Sequence, residues 1–333
     1  MCHNCRQAVA LGPGPGVIDR RQALLRLAGG GLAAAATCAL PIAAAASTQV
    51  IQAPYGAGFC SLDLFLAHAR QLAEDDGVSI ELVTTPTFAD HITMVGNGAV
   101  DVSVTPYASA IALIENGANI RIVGGGGIEG CGLVARAGID GPDKIPGTTL
   151  GTFQMDSLEV MAFDWLRANG VPLADVEIRY MGSIPEAVEA FKARALDWIS
   201  SIEPYVTSLL AEVPGAHLLS NGRDIYDQDY PDCVLTAQVE AIETRRPEAI
   251  CAVIKALMRA QHACETDLDS ILSAMVGSYY KTSLEDAKLG AANQPLQVDI
   301  RGQEDFILSR ADSLIDMGYI TQRPDPQLID CAC

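Results

Sequence analysis

From residue 48 onward, short apolar runs alternate with stretches whose apolar residues recur every three or four positions. Gln49 to Ala53 and Ser79 to Thr84 read as strands. Between them, Ser61 to Glu74 reads as a helix carrying Leu62, Phe65, Leu66, Ala69 and Leu72 on one face. A helix over His91 to Asn97, a strand over Val100 to Val104, a helix over Ala108 to Asn116 and strands over Ile120 to Val123 and Gly132 to Ala135 follow. A second series runs through strands at Thr149 to Thr152, Glu177 to Tyr180 and Asp197 to Ser201, with helices over Ser157 to Asn169 and Pro185 to Ala195 between them. Such alternation predicts α/β architecture with sheets rich in parallel strands. Cys233 to Ala237 is a last strand that returns the chain to the first series, and four helical stretches between Pro247 and Met317 wrap that half.

The two series echo each other. Gly98-Ala99-Val100-Asp101 through Pro106-Tyr107, and Ala195-Leu196-Asp197 through Pro204-Tyr205, each run from a helix end through Asp and a short apolar strand to Pro-Tyr. Each Pro-Tyr falls where a buried strand ends, the rim at which open α/β sheets bind ligands. Two lobes facing each other across a cleft are expected: lobe 1 from 48–138 plus 234–323, lobe 2 from 139–233. Two hinge crossings are placed near 136–147 and 226–236, and residues 324–333 are read as a mobile tail ending in Cys331-Ala332-Cys333, a possible second metal site.

Charge sharpens this picture. The chain carries −19 overall, while residues 1–46 carry a net positive charge. That start has Arg20-Arg21, a Gly/Ala-rich apolar run to Leu40 and small residues before Ser47, the layout of a twin-arginine-like export signal cleaved near Ala46. A periplasmic location is therefore expected, with a lipid anchor through Cys38 as the lesser alternative. The acidic remainder disfavours nucleic acid and anionic membranes.

The ordered set Gly98 to Val102, Asn116 to Gly125, Leu166 to Val171, Ile202-Glu203-Pro204-Tyr205 and Tyr230 to Leu235 resembles the periplasmic substrate-binding proteins of nitrate, taurine and alkanesulfonate ABC importers, which include binders of thiamine pyrimidine precursors. The resemblance implies a two-lobed periplasmic binding protein of type II with two hinge crossings. It further implies a monomer that delivers a small ligand to an ABC permease and its ATPase subunit, with no cofactor and no catalysis. No nucleophile elbow, P-loop or dinucleotide fingerprint is present, since Gly124 to Gly127 lacks the spacing.

The loops expected to line the cleft hold no Lys or Arg but place Cys60, Cys131 and Cys233 on three separate segments. Cys60 is expected at a helix N-terminus, where the helix dipole lowers a thiol pKa. Three convergent thiolates suit a soft, thiophilic ion or organometal such as mercury, an organomercurial, arsenite or Cu(I). A weaker resemblance to a cysteine- or selenocysteine-bearing branch linked to organometal handling points the same way. Tyr55, Phe59, Thr105, Tyr107, Phe153, Asp156, Glu203 and Tyr205 complete the expected ligand-binding set. The competing readings are a neutral or cationic pyrimidine-like organic ligand, a sensor built on the same fold, and a thiamine-pyrimidine synthase-like enzyme. The scattered histidines have no metal-ligand spacing, and Cys251 and Cys264 are read as core packing.

Overall fold

Strand β1 (Gln49–Pro54) pairs in parallel with β2 (Val78–Val83), with helix α1 (Leu62–Ala69) in the connection, the crossover that parallel neighbours require. These positions, like all those described below, belong to a computed structural model that describes residues 48–329. The expected export signal, Cys38, Cys331 and Cys333 lie outside the described residues. Helix α2 (Phe88–Gly96) begins at a capping box in which Thr87 and Asp90 satisfy each other's backbone amides. It leads to β3 (Val102–Pro106), α3 (Tyr107–Glu115) and β4 (Ile120–Gly125). Asp101 fastens β1 to the start of β3, its amide donating to Gln52 O and its carboxylate accepting from Gln52 N.

The second lobe is one five-stranded sheet in the order β7-β6-β8-β5-β9. Its members are β5 (Cys131–Ala135), β6 (Thr149–Thr152), β7 (Glu177–Tyr180), β8 (Trp198–Ile202) and β9 (His217–Ser220). Every residue of β5 and of β8 is buried, as expected of central strands covered on both faces, whereas edge strand β7 is largely exposed. Helices α4 (Ser157–Ala168), α5 (Ile184–Lys192), α6 (Tyr205–Glu212) and α7 (Arg223–Tyr226) complete the lobe. Asp156 caps α4 and Ser183 caps α5, which carries a Pro in its first turn.

Strand β10 (Cys233–Gln238) then returns to the first lobe, as the apolar run suggests, and the structure inserts it between β3 and β4, antiparallel to both. Helix α8 (Pro247–Met275) packs on α1 and breaks its backbone geometry at Asp267, between the two helical stretches read from sequence. Helices α9 (Leu284–Asn293), α10 (Glu304–Ser309) and α11 (Ala311–Asp316) follow.

Three boundaries differ from expectation. Strand β5 pairs with β8 and β9, so lobe 2 starts at residue 131 and the first crossing is 126–130 rather than 136–147. The returning segment lies antiparallel to it: Asp232 N donates to Gly127 O, Glu129 N to Tyr230 O and Gly126 N to Cys233 O. Residues 295–298 add a third strap, with Ile128 N donating to Pro295 O, Gln297 N to Gly126 O and Gly125 N to Val298 O. The C-terminal helices do not wrap lobe 1 alone, because α9 packs on α6 and α11 touches both α3 and α4. Residues 326–329 are docked rather than mobile: Leu328 is buried and Ile329 bridges to Ile122.

Candidate functional site

The C-terminal ends of β1, β2 and β3 face those of β6, β7 and β8 across a cavity of about 230 Å³. The lobes meet at its edges: Phe59 N donates to Glu203 O at 2.9 Å and Phe88 N to Gly182 O at 2.8 Å. Lobe 1 contributes Tyr55 and the Gly56 to Gly58 loop, Thr85 to Phe88 and Pro106, and lobe 2 contributes Phe153, Ile184, Pro185, Ile202 and Tyr205. The walls are therefore mainly apolar and aromatic, the usual character of a small-ligand pocket.

One part of the wall is different. Cys60, in the short turn Phe59–Ser61 ahead of α1, and Cys233, the first residue of β10, both line the cavity and are each 4% exposed. Their Sγ atoms are 3.0 Å apart, and Cys233 Sγ is also 3.0 Å from Asp232 Oδ2. The donor atoms of Cys60, Asp232 and Cys233 all lie within 4.8 Å of one another, a spacing that one ion could span. Gly126 and Gly127 make this approach possible. A Cβ on Gly127 would sit 3.2 Å from Cys60 Cα and Cβ, and one on Gly126 would sit 3.0 Å from Cys60 O and 3.4 Å from Cys233 Cβ.

Cys131 stands one step back. Its thiol donates to the other Asp232 oxygen, Oδ1, at 3.2 Å, and it does not line the cavity. Gln294 Nε2 adds a 3.4 Å contact to Asp232 Oδ2. The carboxyl of Asp232 is thus held by thiols on both sides and an amide, which lower its pKa, while burial outweighs them and raises it.

The thiols are not activated in the way a helix N-terminus suggests. The hydrogen bond from Cys233 pulls Cys60 down, but burial and the neighbouring Asp232 and Asp63 carboxyls together leave it pushed up to about 11. Burial pushes Cys131 and Cys233 well above the ordinary thiol range, with Asp232 adding to the effect. All three are thiols rather than thiolates at neutral pH. Cys60, Cys131, Cys233 and Cys264 are free, whereas Cys251 is disulfide-bonded and so is more than core packing.

Of the other expected residues, Tyr55, Phe153, Asp156 and Tyr205 line the cavity. Asp156 accepts from Leu158 N at 2.9 Å, and burial lifts its pKa well above the carboxylate range. Phe59, Thr105, Tyr107 and Glu203 do not line it. Phe59 packs edge-on to Tyr280, Tyr107 packs against Phe306, and Thr105 bonds to Ser103 and Thr236. Glu203 turns away to accept from Thr207 and Asn293.

Among the wall residues that sequence reasoning missed, three carry ionisable side chains. Lys281 lines the cavity from the segment after α8, so the site is not devoid of cationic side chains as expected. Tyr279 precedes it on the same segment. His91 also lines the cavity; its Nε2 lies 2.8 Å from Ser103 Oγ, and burial pushes its pKa down to about 4. Asp232 falls within the Tyr230 to Leu235 segment, but nothing in its local sequence separates it from acidic neighbours such as Asp229.

Two α/β lobes facing each other across a cavity, joined by crossing straps beneath it, define the class of periplasmic-binding-protein folds. The chain belongs to the NMT1-like family, which residues 44–274 match. Among solved structures, it resembles the ligand-binding component of an ABC-type import system from Staphylococcus aureus with zinc bound, at 17% identity and a TM-score of 0.71, covering 84% of this chain and 96% of that one. The alkanesulfonate-binding protein SsuA from Xanthomonas axonopodis pv. citri, bound to MOPS, matches at 16% identity and a TM-score of 0.71, covering 85% and 96%. The periplasmic nitrate-binding protein NrtA from Synechocystis matches at 14% identity and a TM-score of 0.71, covering 84% of each chain. At these identities the likeness establishes the fold. No curated protein sequence gives a significant match.

Proposed function

We propose that this protein is the extracytoplasmic solute-binding component of an ABC importer, and that its ligand is a thiophilic cation carrying an apolar organic group. Cys60 and Cys233 would supply the sulfur donors and Asp232 a carboxylate, with Cys131 orienting Asp232 from behind. The observation that carries this reading is the Cys60–Asp232–Cys233 cluster on the wall of an otherwise aromatic cavity. Soft thiol donors select soft cations. A bare ion fills no more than one or two water volumes of about 30 Å³ each, which leaves most of the cavity for a substituent. Family membership and the binding-protein architecture support delivery to a permease and its ATPase, with the acidic chain acting as a soluble carrier.

Titration of the reduced protein with phenylmercury, read by sulfur-to-metal charge-transfer absorption and calorimetry, tests this. One equivalent should bind tightly, more tightly as pH rises, because the buried thiols must lose protons to bind. Cys131→Ser should cost about 10- to 100-fold as an outer partner. Cys60→Ser and Cys233→Ser should each cost more than that, and Cys264→Ser should cost nothing measurable. Tight binding that survives the double Cys60→Ser, Cys233→Ser change overturns the reading. That outcome favours a flat neutral heteroaromatic ligand, for which the Phe88 and Phe153 rings, 5.9 Å apart and inclined at 67°, offer a wall.

A further inference from the structure

Cys60 and Cys233 stand close enough to do something that needs no ligand. Their sulfurs, 3.0 Å apart, are about 1 Å from the disulfide bond length of roughly 2.05 Å. Both residues line the cavity, which gives a small reagent a route to them, whereas Cys131 does not line it and its thiol bonds to Asp232. Their backbones are fixed against the same Gly126-Gly127 strap, so little chain entropy remains to be lost on joining them. A disulfide already exists in this chain at Cys251, yet these two cysteines are free.

We infer that Cys60 and Cys233 form a redox modification site, a dithiol that a small disulfide converts reversibly into an intramolecular disulfide across the cavity wall. In the first step the Cys60 sulfur attacks the small disulfide, forming a mixed disulfide and releasing one small thiol. In the second, the Cys233 sulfur attacks Cys60 Sγ and expels the second small thiol. Two electrons pass to the small disulfide, and the two thiol protons leave with its halves. The oxidised cavity has lost both sulfur donors, so it no longer captures a soft cation; this last consequence rests on the proposed function, and the disulfide itself does not.

The test equilibrates the full chain in buffers of 2-mercaptoethanol and its disulfide over a wide range of ratios, quenches in acid, alkylates after unfolding and maps the peptides by mass. The expected product is one cross-link joining the peptides of Cys60 and Cys233, reversed by excess thiol, with Cys131 and Cys264 alkylated throughout. Cys264→Ser, at a free cysteine outside the cavity wall, should leave the cross-link and its midpoint unchanged. Phenylmercury titration of the oxidised form should show at least a hundredfold loss relative to the reduced form, on the order of a lost chelating pair. Full alkylation of Cys60 and Cys233 at every ratio, or a cross-link from either one to Cys131, overturns the proposal. If the reduced protein ignores phenylmercury, the ligand reading fails while the cross-link map still decides the redox site.

Discussion

Asp63 is 0% exposed, takes one hydrogen bond from Leu64 N at 2.7 Å through Oδ1, and has no partner for Oδ2. Burial pushes its carboxyl from the ordinary 3.8 up to about 8. Between those limits the folded protein holds a proton that the unfolded chain has released, so this contribution to stability is complete at low pH and is lost as pH rises toward 8. His91 works in the opposite sense: held neutral by burial, it costs stability as pH falls from 6.5 toward about 4. Above pH 6.5 only Asp63 of the two acts. Asp63 should therefore contribute up to about 1.4 kcal/mol per pH unit to the fall in urea-derived stability toward pH 8, beside the other buried carboxyls that burial raises, and Asp63→Asn should reduce the slope by that share. An unchanged slope in the variant would place the titration elsewhere. The same burial explains what could be read at this scale. Cysteines stand out in cleft loops because few residue types compete with them there, but which way a side chain faces at a strand end was not legible. Successive strand residues point to opposite faces, so Pro106 meets the cavity while Thr105, its neighbour, bonds to Thr236 inside the sheet.

The hinge is set by glycine. A Cβ on Gly125 would lie 2.1 Å from Gln297 O, a backbone atom that cannot swing aside, whereas one on Gly124 would meet Val298 O at 3.3 Å. Gly125→Ala should push the 295–298 strap away and destabilise the protein by about 1–3 kcal/mol, the usual cost of overpacking. Hydrogen exchange should locate the damage at the Gln297 amide, which donates to Gly126 O, with Gly124→Ala milder on both measures. Wild-type exchange at Gln297 in Gly125→Ala would contradict this account of the hinge. Strands and helices themselves were largely legible from periodicity, including the break in α8 near Asp267. The sheet to which β5 belongs was not. All five of its residues are buried, a pattern that suits either lobe, and its partners β8 and β9 lie more than sixty residues downstream.

For the whole molecule, the described arrangement is a closed one, with backbone hydrogen bonds between the lobes at Phe59 and Phe88. Among the described residues only these two backbone bonds join the rims, while the hinge beneath is densely bonded, so opening should leave the secondary structure intact. Small-angle scattering of the reduced protein should show a smaller radius of gyration at saturating phenylmercury than without it, with far-ultraviolet circular dichroism unchanged. Identical scattering at demonstrated saturation would mean that the ligand enters a cleft already shut. The two-lobed plan was legible because the Pro-Tyr echo marks both rims. The bridging role of the C-terminal helices was not, since α11 reaches α3 and α4 through tertiary packing alone.

The third strap also orders events in time. All three sheets, β1-β2, β3-β10-β4 and the five strands of lobe 2, are complete in sequence by Gln238, and Cys60, Cys131, Asp232 and Cys233 have all been synthesised by then, but Gln294 and residues 295–298 come some sixty residues later. A chain emerging from the ribosome can thus assemble both lobes before it can seal the wall that holds the cysteines together. Until residues 294–298 arrive, Asp232 lacks its Gln294 contact and the Gly125 to Ile128 strap lacks the backbone groups it pairs with. The compartment in which the last strap docks therefore decides the chemical state in which the site begins its life.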